Sequence, residues 1–164
     1  MHVLGKHSQE PLSHKNIHDY VMNNFSRLDK HNIDELVHFH SINKYLLMAH
    51  DRIDTHTLRD IVANHEMLSP QILHENYEIT LKNTMKKEPT IKTHHYVLLK
   101  LFGHFKNDLN DEENKIMLKK LYAFKENKET LNNVLLLLEN LTRKFQKTHL
   151  VRQTYFLFYA KVEN

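Results

Sequence analysis

The chain has no cysteine and no tryptophan, and its 164 residues include only two glycines, Gly5 and Gly103, and three prolines, Pro11, Pro70 and Pro89. Without cysteine there are no disulfides, no thiolate zinc or iron–sulfur ligands and no thiol nucleophile in this chain. That usage fits a reducing cytoplasm. Two glycines cannot build the Gly-rich phosphate turns of a dinucleotide-binding unit or a P-loop, nor the strained turn of a hydrolase nucleophile. So few turn residues also exclude a many-stranded sandwich or barrel. Long apolar runs are missing too. The longest strongly apolar one, Val134–Leu138, falls far short of the roughly 20 residues that span a bilayer, and Met1–Ser13 lacks the apolar core of a signal peptide. What remains is the expectation of a soluble, cytoplasmic, all-α protein with no membrane partner.

The charges nearly balance, 23 Lys and Arg against 20 Asp and Glu, for a formal net charge of +3. Nucleic-acid binding wants a concentrated basic stripe, and Lys115, Lys119 and Lys120 are too few to make one. Histidine is unusually frequent, 15 in all. Imidazoles take up protons as the pH falls toward 5, so stability is expected to depend on pH there.

Apolar spacing and capping residues mark out the helices. Residues 1–13 read as a polar tail, and residues 14–164 as one compact helical domain. A first helix runs from about His14 to Lys30, with Ser13 as N-cap and Ile17, Val21, Phe25 and Leu28 on one stripe. A second covers about Asp34 to Arg52. Thr57-Leu58-Arg59-Asp60 resembles a capping box and opens a short third helix. Ser69-Pro70 starts a fourth, Thr90 a fifth over about 90–108, and Asn110 a sixth with acidic residues at its positive end. A seventh, about Glu129 to Lys147, buries Leu131, Val134, Leu135, Leu138, Leu141 and Phe145. The aromatic stretch Leu150–Ala160 docks as a short helix or extended tail. Six to eight helices are expected around a buried central one, the fifth, which is apolar almost all round. Gly103 in its middle costs about 1 kcal/mol relative to alanine, which implies a close approach to its backbone.

Polar residues on core-facing stripes are the candidates for function. At about 100° per residue, His40, Asn43 and His50 fall among Leu36, Phe39 and Leu47, and Lys44 flanks the stripe one turn after His40. A buried polar group without a partner costs roughly 1–3 kcal/mol. This line is therefore either a satisfied structural network or the wall of a polar pocket. Around Gly103 the fifth helix adds Tyr96, Lys100 and Asn107, which could contact an anion or a base. Metal patterns are weak: only one Glu-x-x-His pair occurs, Glu35 to His38, where a di-iron bundle needs two such motifs and two further glutamates. No metal and no cofactor is expected.

Four blocks resemble the YbgA-like family, a bacterial domain of unknown function. Phe39-His40-Ser41 through Lys44-Tyr45-Leu46-Leu47-Met48-Ala49-His50 is similar to its signature, and Leu58–Ala63 to its Leu-Gly-x-x-Val-Ala segment. Val97-Leu98, Gly103, Phe105-Lys106 and Leu109 resemble its central block, and Gln153-Thr154-Tyr155-Phe156 with Tyr159 its closing element. The chain departs from the family pattern at Arg59 (a glycine there), at Tyr96 and Lys100 (Asn and His), and at Phe158 and Ala160 (prolines). The resemblance implies an all-helical domain, often fused to a thiouracil-desulfidase-type domain whose iron–sulfur cluster a cysteine-free chain could not hold.

Together these readings favour a domain that binds a small polar or anionic, nucleobase-like ligand and is accessory to nucleobase or thio-nucleobase metabolism. His40, Asn43, Lys44, His50 and Lys100 would line the pocket. Gln153 and Tyr155 would close it, with Tyr155 as a stacking surface. Two alternatives stand beside it. One is an enzyme with Lys44 or His40 as acid/base on a nucleobase-like substrate. The other is an interaction module that docks a desulfidase-type domain or a second copy of the chain.

Overall fold

A computed structural model describes residues 13–161, and these are all-α: nine helices and no strand among the described residues. Apart from Ser13, the expected N-terminal tail lies outside them. The described chain divides into two compact units, one ending at Pro89 and the other beginning at Thr90.

The first unit holds α1 (His14–Ser26), α2 (Ile33–His50), α3 (Arg52–Ala63) and α4 (Pro70–Met85). Ser13 caps α1 by accepting from the Asn16 N–H, and Ser69 caps α4 by accepting from Ile72, with Pro70 in the first turn. α1 stops short of Lys30, and beyond its end Asp29 accepts from the His31 backbone N–H in a local turn. Ile17, Val21 and Phe25 of α1 are buried as the spacing predicts. Phe25 lies against Phe39 of α2 at 5.5 Å and stacks on Tyr77 of α4 at 5.8 Å. Burying each such side chain contributes about 1.5–3 kcal/mol.

The boundary between α2 and α3 differs from expectation. It falls at Asp51, which ends one helix and caps the next by accepting from the Asp54 N–H. Thr57 is not a cap: it sits inside α3, and its hydroxyl donates back to the Ile53 carbonyl. An aspartate in extended backbone breaks the helix here with neither glycine nor proline.

The second unit holds α5 (Ile91–Phe102), α6 (Asp111–Lys125), α7 (Leu131–Lys144), α8 (Thr148–Val151) and α9 (Thr154–Tyr159). Capping boxes open α5 (Thr90 with Thr93) and α6 (Asn110 with Glu113). The aromatic C-terminal stretch forms two short helices, which takes the count past the six to eight expected. On α5, Val97, Leu98, Leu101 and Phe102 are buried, whereas Leu99 and Lys100 are exposed. On α7, Val134, Leu135 and Leu138 are buried and Leu131, Leu141 and Phe145 only half-buried.

Gly103 is the C-cap of α5 rather than its middle, with φ −54°. A side chain added there would meet only the carbonyls of Lys100 and Leu99, at 3.3 and 3.6 Å. The close approach expected at this glycine is therefore only that of α5's own last turn. Left-handed residues close the next two helices instead. Asn127 (φ 60°) follows α6 and Gln146 (φ 53°) follows α7. In each case the next N–H reaches back across the last turn, Lys128 to Ala123 and Lys147 to Thr142, both at 2.8 Å, as in a Schellman motif.

Candidate functional site

α2 and α3 diverge from Asp51 and leave a cleft of about 290 Å³ between them. α2 contributes Val37, His40, Ser41, Lys44 and Met48 at helical spacing, and α3 contributes Arg52, Thr55, His56, Arg59 and Val62. Helices that leave one corner stay close at that end. Lys87, just beyond α4, ties the corner down: its Nζ is 2.7 Å from Asp51 and 3.1 Å from Asp54. Asp54 also accepts from Asn83 and Thr84 of α4.

The electrostatics of the cleft are one-sided. Lys44, Arg52 and Arg59 bring three cations, His40 and His56 bring imidazoles, and no carboxylate lines it. Lys44 makes no ion pair among the described residues; its Nζ lies 5.3 Å from the Tyr45 ring centroid. Arg59 meets Asp60 at 3.4 Å, an exposed pair of little energetic weight. Val37, Met48 and Val62 supply apolar wall. Such a cleft suits a ligand with an apolar or planar body and an anionic group.

His40 is buried, and its Nδ1 lies 2.8 Å from the hydroxyl of Tyr77, itself fully buried. Burial, with the charges of Lys44 and Arg59, lowers the His40 pKa to about 4, so the ring is neutral at neutral pH. Burial also pushes the Tyr77 phenol far above its ordinary range, which keeps it protonated. Among the described residues the His40 Nε2 has no hydrogen-bond partner, and His40 lines the cleft.

Of the residues singled out from the sequence, His40 and Lys44 meet in this cleft. Asn43 turns its amide onto the Phe39 carbonyl at 2.9 Å. His50 closes α2 with its Nδ1 2.7 Å from the Lys87 carbonyl, to which it donates, and its ring lies 5.4 Å from that of His14. Burial lowers its pKa to about 4 as well. Lys100, Gln153 and Tyr155 belong to the second unit. Lys100 lies over the Tyr96 ring at 5.6 Å, and Gln153 is buried just before α9. Tyr155 is fully buried, with its hydroxyl 2.6 Å from the His94 ring. A ring with no exposed face offers no stacking surface. Sequence reasoning missed Arg52, His56 and Arg59. Their spacing is a helical stripe, but placing the α3 start at Thr57 hid it.

Among the described residues, no group of three or more His, Asp or Glu side chains could hold a metal ion. None of their helices is long and apolar enough to cross a membrane. No curated protein and no solved structure matches the chain. Residues 44–160 match a family described as "Protein of unknown function (DUF1722)". That span runs from Lys44 on the cleft wall through the end of α9, well over half of the chain, so the chain belongs to the DUF1722 family.

Proposed function

We propose that the first unit binds a small anionic ligand in the α2–α3 cleft, as a domain accessory to nucleobase or thio-nucleobase metabolism. The observation that carries this reading is the convergence of Lys44, Arg52 and Arg59 on a partly apolar cleft that no carboxylate lines. Like charges gathered on one wall repel one another, and an anion relieves that repulsion. The resemblance of Phe39–His50 to the YbgA-like signature supports the nucleobase-like body. A cytoplasmic setting fits the lack of cysteine.

A thermal-shift and calorimetric titration with uridine 5′-monophosphate, uracil and inorganic phosphate tests the reading. A ligand present at a hundred times its Kd stabilises by about 2.7 kcal/mol. The expected result is a melting shift with the nucleotide that Lys44→Ala and Arg59→Ala each abolish and Lys100→Ala leaves in place. No shift with any probe, or one indifferent to Lys44 and Arg59, would overturn it and favour a module that docks a desulfidase-type domain. Conversion of the bound ester that is lost in Lys44→Ala would make the cleft an active site.

A further inference from the structure

We infer that Tyr77 sets the chemistry of the cleft by holding His40 as its Nε2–H tautomer, so that the wall offers hydrogen-bond donors and takes the oxyanion of a phosphate or sulfate monoester. The inference rests on the anion-binding reading of the cleft and narrows it to a ligand class.

The argument runs through one proton. Among the described residues the Tyr77 hydroxyl has a single hydrogen-bond partner, the His40 Nδ1 at 2.8 Å. Phe25 stacked on the Tyr77 ring at 5.8 Å and Phe39 edge-on at 6.0 Å keep the phenol oxygen where it is. A phenol proton enclosed there needs an acceptor, and Nδ1 is the one within reach. Nδ1 therefore carries the lone pair, and a neutral imidazole then carries its hydrogen on Nε2. The other tautomer would leave the buried phenol proton unpaired.

The consequence is a cluster of donors, beside which the hydroxyls of Ser41 and Thr55 and the ring of His56 also line the cleft. His40 Nε2–H joins the ammonium of Lys44 and the guanidinium groups of Arg52 and Arg59, none of which can accept a hydrogen bond. A uracil edge alternates donors and acceptors and matches this cluster of donors poorly. The three oxygens of a phosphate or sulfate ester are all acceptors and match it well. The anionic group then sits at His40 and Lys44, with the body of the ligand against Val37, Met48 and Val62.

Long-range proton–nitrogen correlation spectra of the ligand-free, 15N-labelled protein at neutral pH read the tautomer directly. The His40 signals are assigned by their loss in His40→Gln. The expected result is Nε2-protonated His40 in the wild type and a mixture of both tautomers in Tyr77→Phe, with the melting curve confirming that the variant folds. Calorimetry with phenyl phosphate, phenyl sulfate and uracil is expected to show binding of the two esters and none of uracil. Tyr77→Phe should weaken ester binding about twofold, by the fraction of His40 left in the donor form. An Nδ1-protonated His40 in the wild type, or uracil bound as tightly as the esters, overturns this inference while an anion cleft still stands. Nε2-protonated His40 with no ester binding at all overturns the anion-binding reading itself.

Discussion

Lys87 Nζ lies 2.7 Å from Asp51, the residue at which α2 ends and α3 begins. One carboxylate thus caps a helix, breaks another and receives a cation from beyond α4. Asp51→Ala removes all three roles and should cost about 1–2 kcal/mol, mostly through the lost cap. Asp51→Asn keeps a capping oxygen and loses only the ion pair, so it should cost less than about 1 kcal/mol. Urea unfolding of the two variants checks the order. Equal losses would mean that the cap is not what matters.

The two histidines held neutral at the ends of this unit's polar line make stability depend on pH. His40 and His50 each have a pKa near 4 in the folded protein, against 6.5 for an unperturbed ring. Below pH 6.5 the unfolded chain binds protons that the folded protein refuses, so stability falls with pH until about pH 4, where the folded form also takes them up. At 1.36 kcal/mol per pKa unit, the loss is up to about 3 kcal/mol per histidine. Melting temperatures should therefore drop between pH 7 and pH 4, and less steeply in His50→Gln. A flat profile would sink the argument.

Gln146 adopts φ 53° with no glycine to ease it. A left-handed residue with a Cβ costs roughly 1–2 kcal/mol relative to glycine, part of it offset by glycine's freedom when unfolded. Gln146→Gly should raise stability by about 1 kcal/mol in thermal melts. Asn127→Gly should gain less, because asparagine tolerates this conformation better.

Tyr155 donates to or accepts from His94 across 2.6 Å and is fully buried. Tyr155→Phe should destabilise the protein by about 1 kcal/mol, the net worth of such a bond. It should leave nucleotide binding unchanged. A loss of binding with stability intact would restore Tyr155 to the ligand-contacting role that its place in the sequence first suggested.

The sequence by itself determined the local structure. Its caps lie within three residues of what they cap: Ser13, Ser69 with Pro70, Thr90, and Asn110 with Glu113. Apolar stripes then name the buried faces, because a helix's geometry is local and repeats along the chain. The same periodicity put His40, Asn43 and His50 on an inward stripe of α2, and all three are buried. Only the tertiary structure decided what each of them does there. His40 meets Tyr77 and His50 meets the Lys87 carbonyl, each 37 positions away in the chain, whereas Asn43 binds its own helix. The corner at Asp51 stayed hidden because Thr57 offered a rival start for α3, although the cap at Asp51 is as local as the others, accepting from the Asp54 N–H. With it stayed the stripe of Arg52, His56 and Arg59 that completes the cleft. Caps and stripes follow from neighbours along the chain; partners and clefts follow from which helices pack together, and that is settled only when the whole unit buries its core.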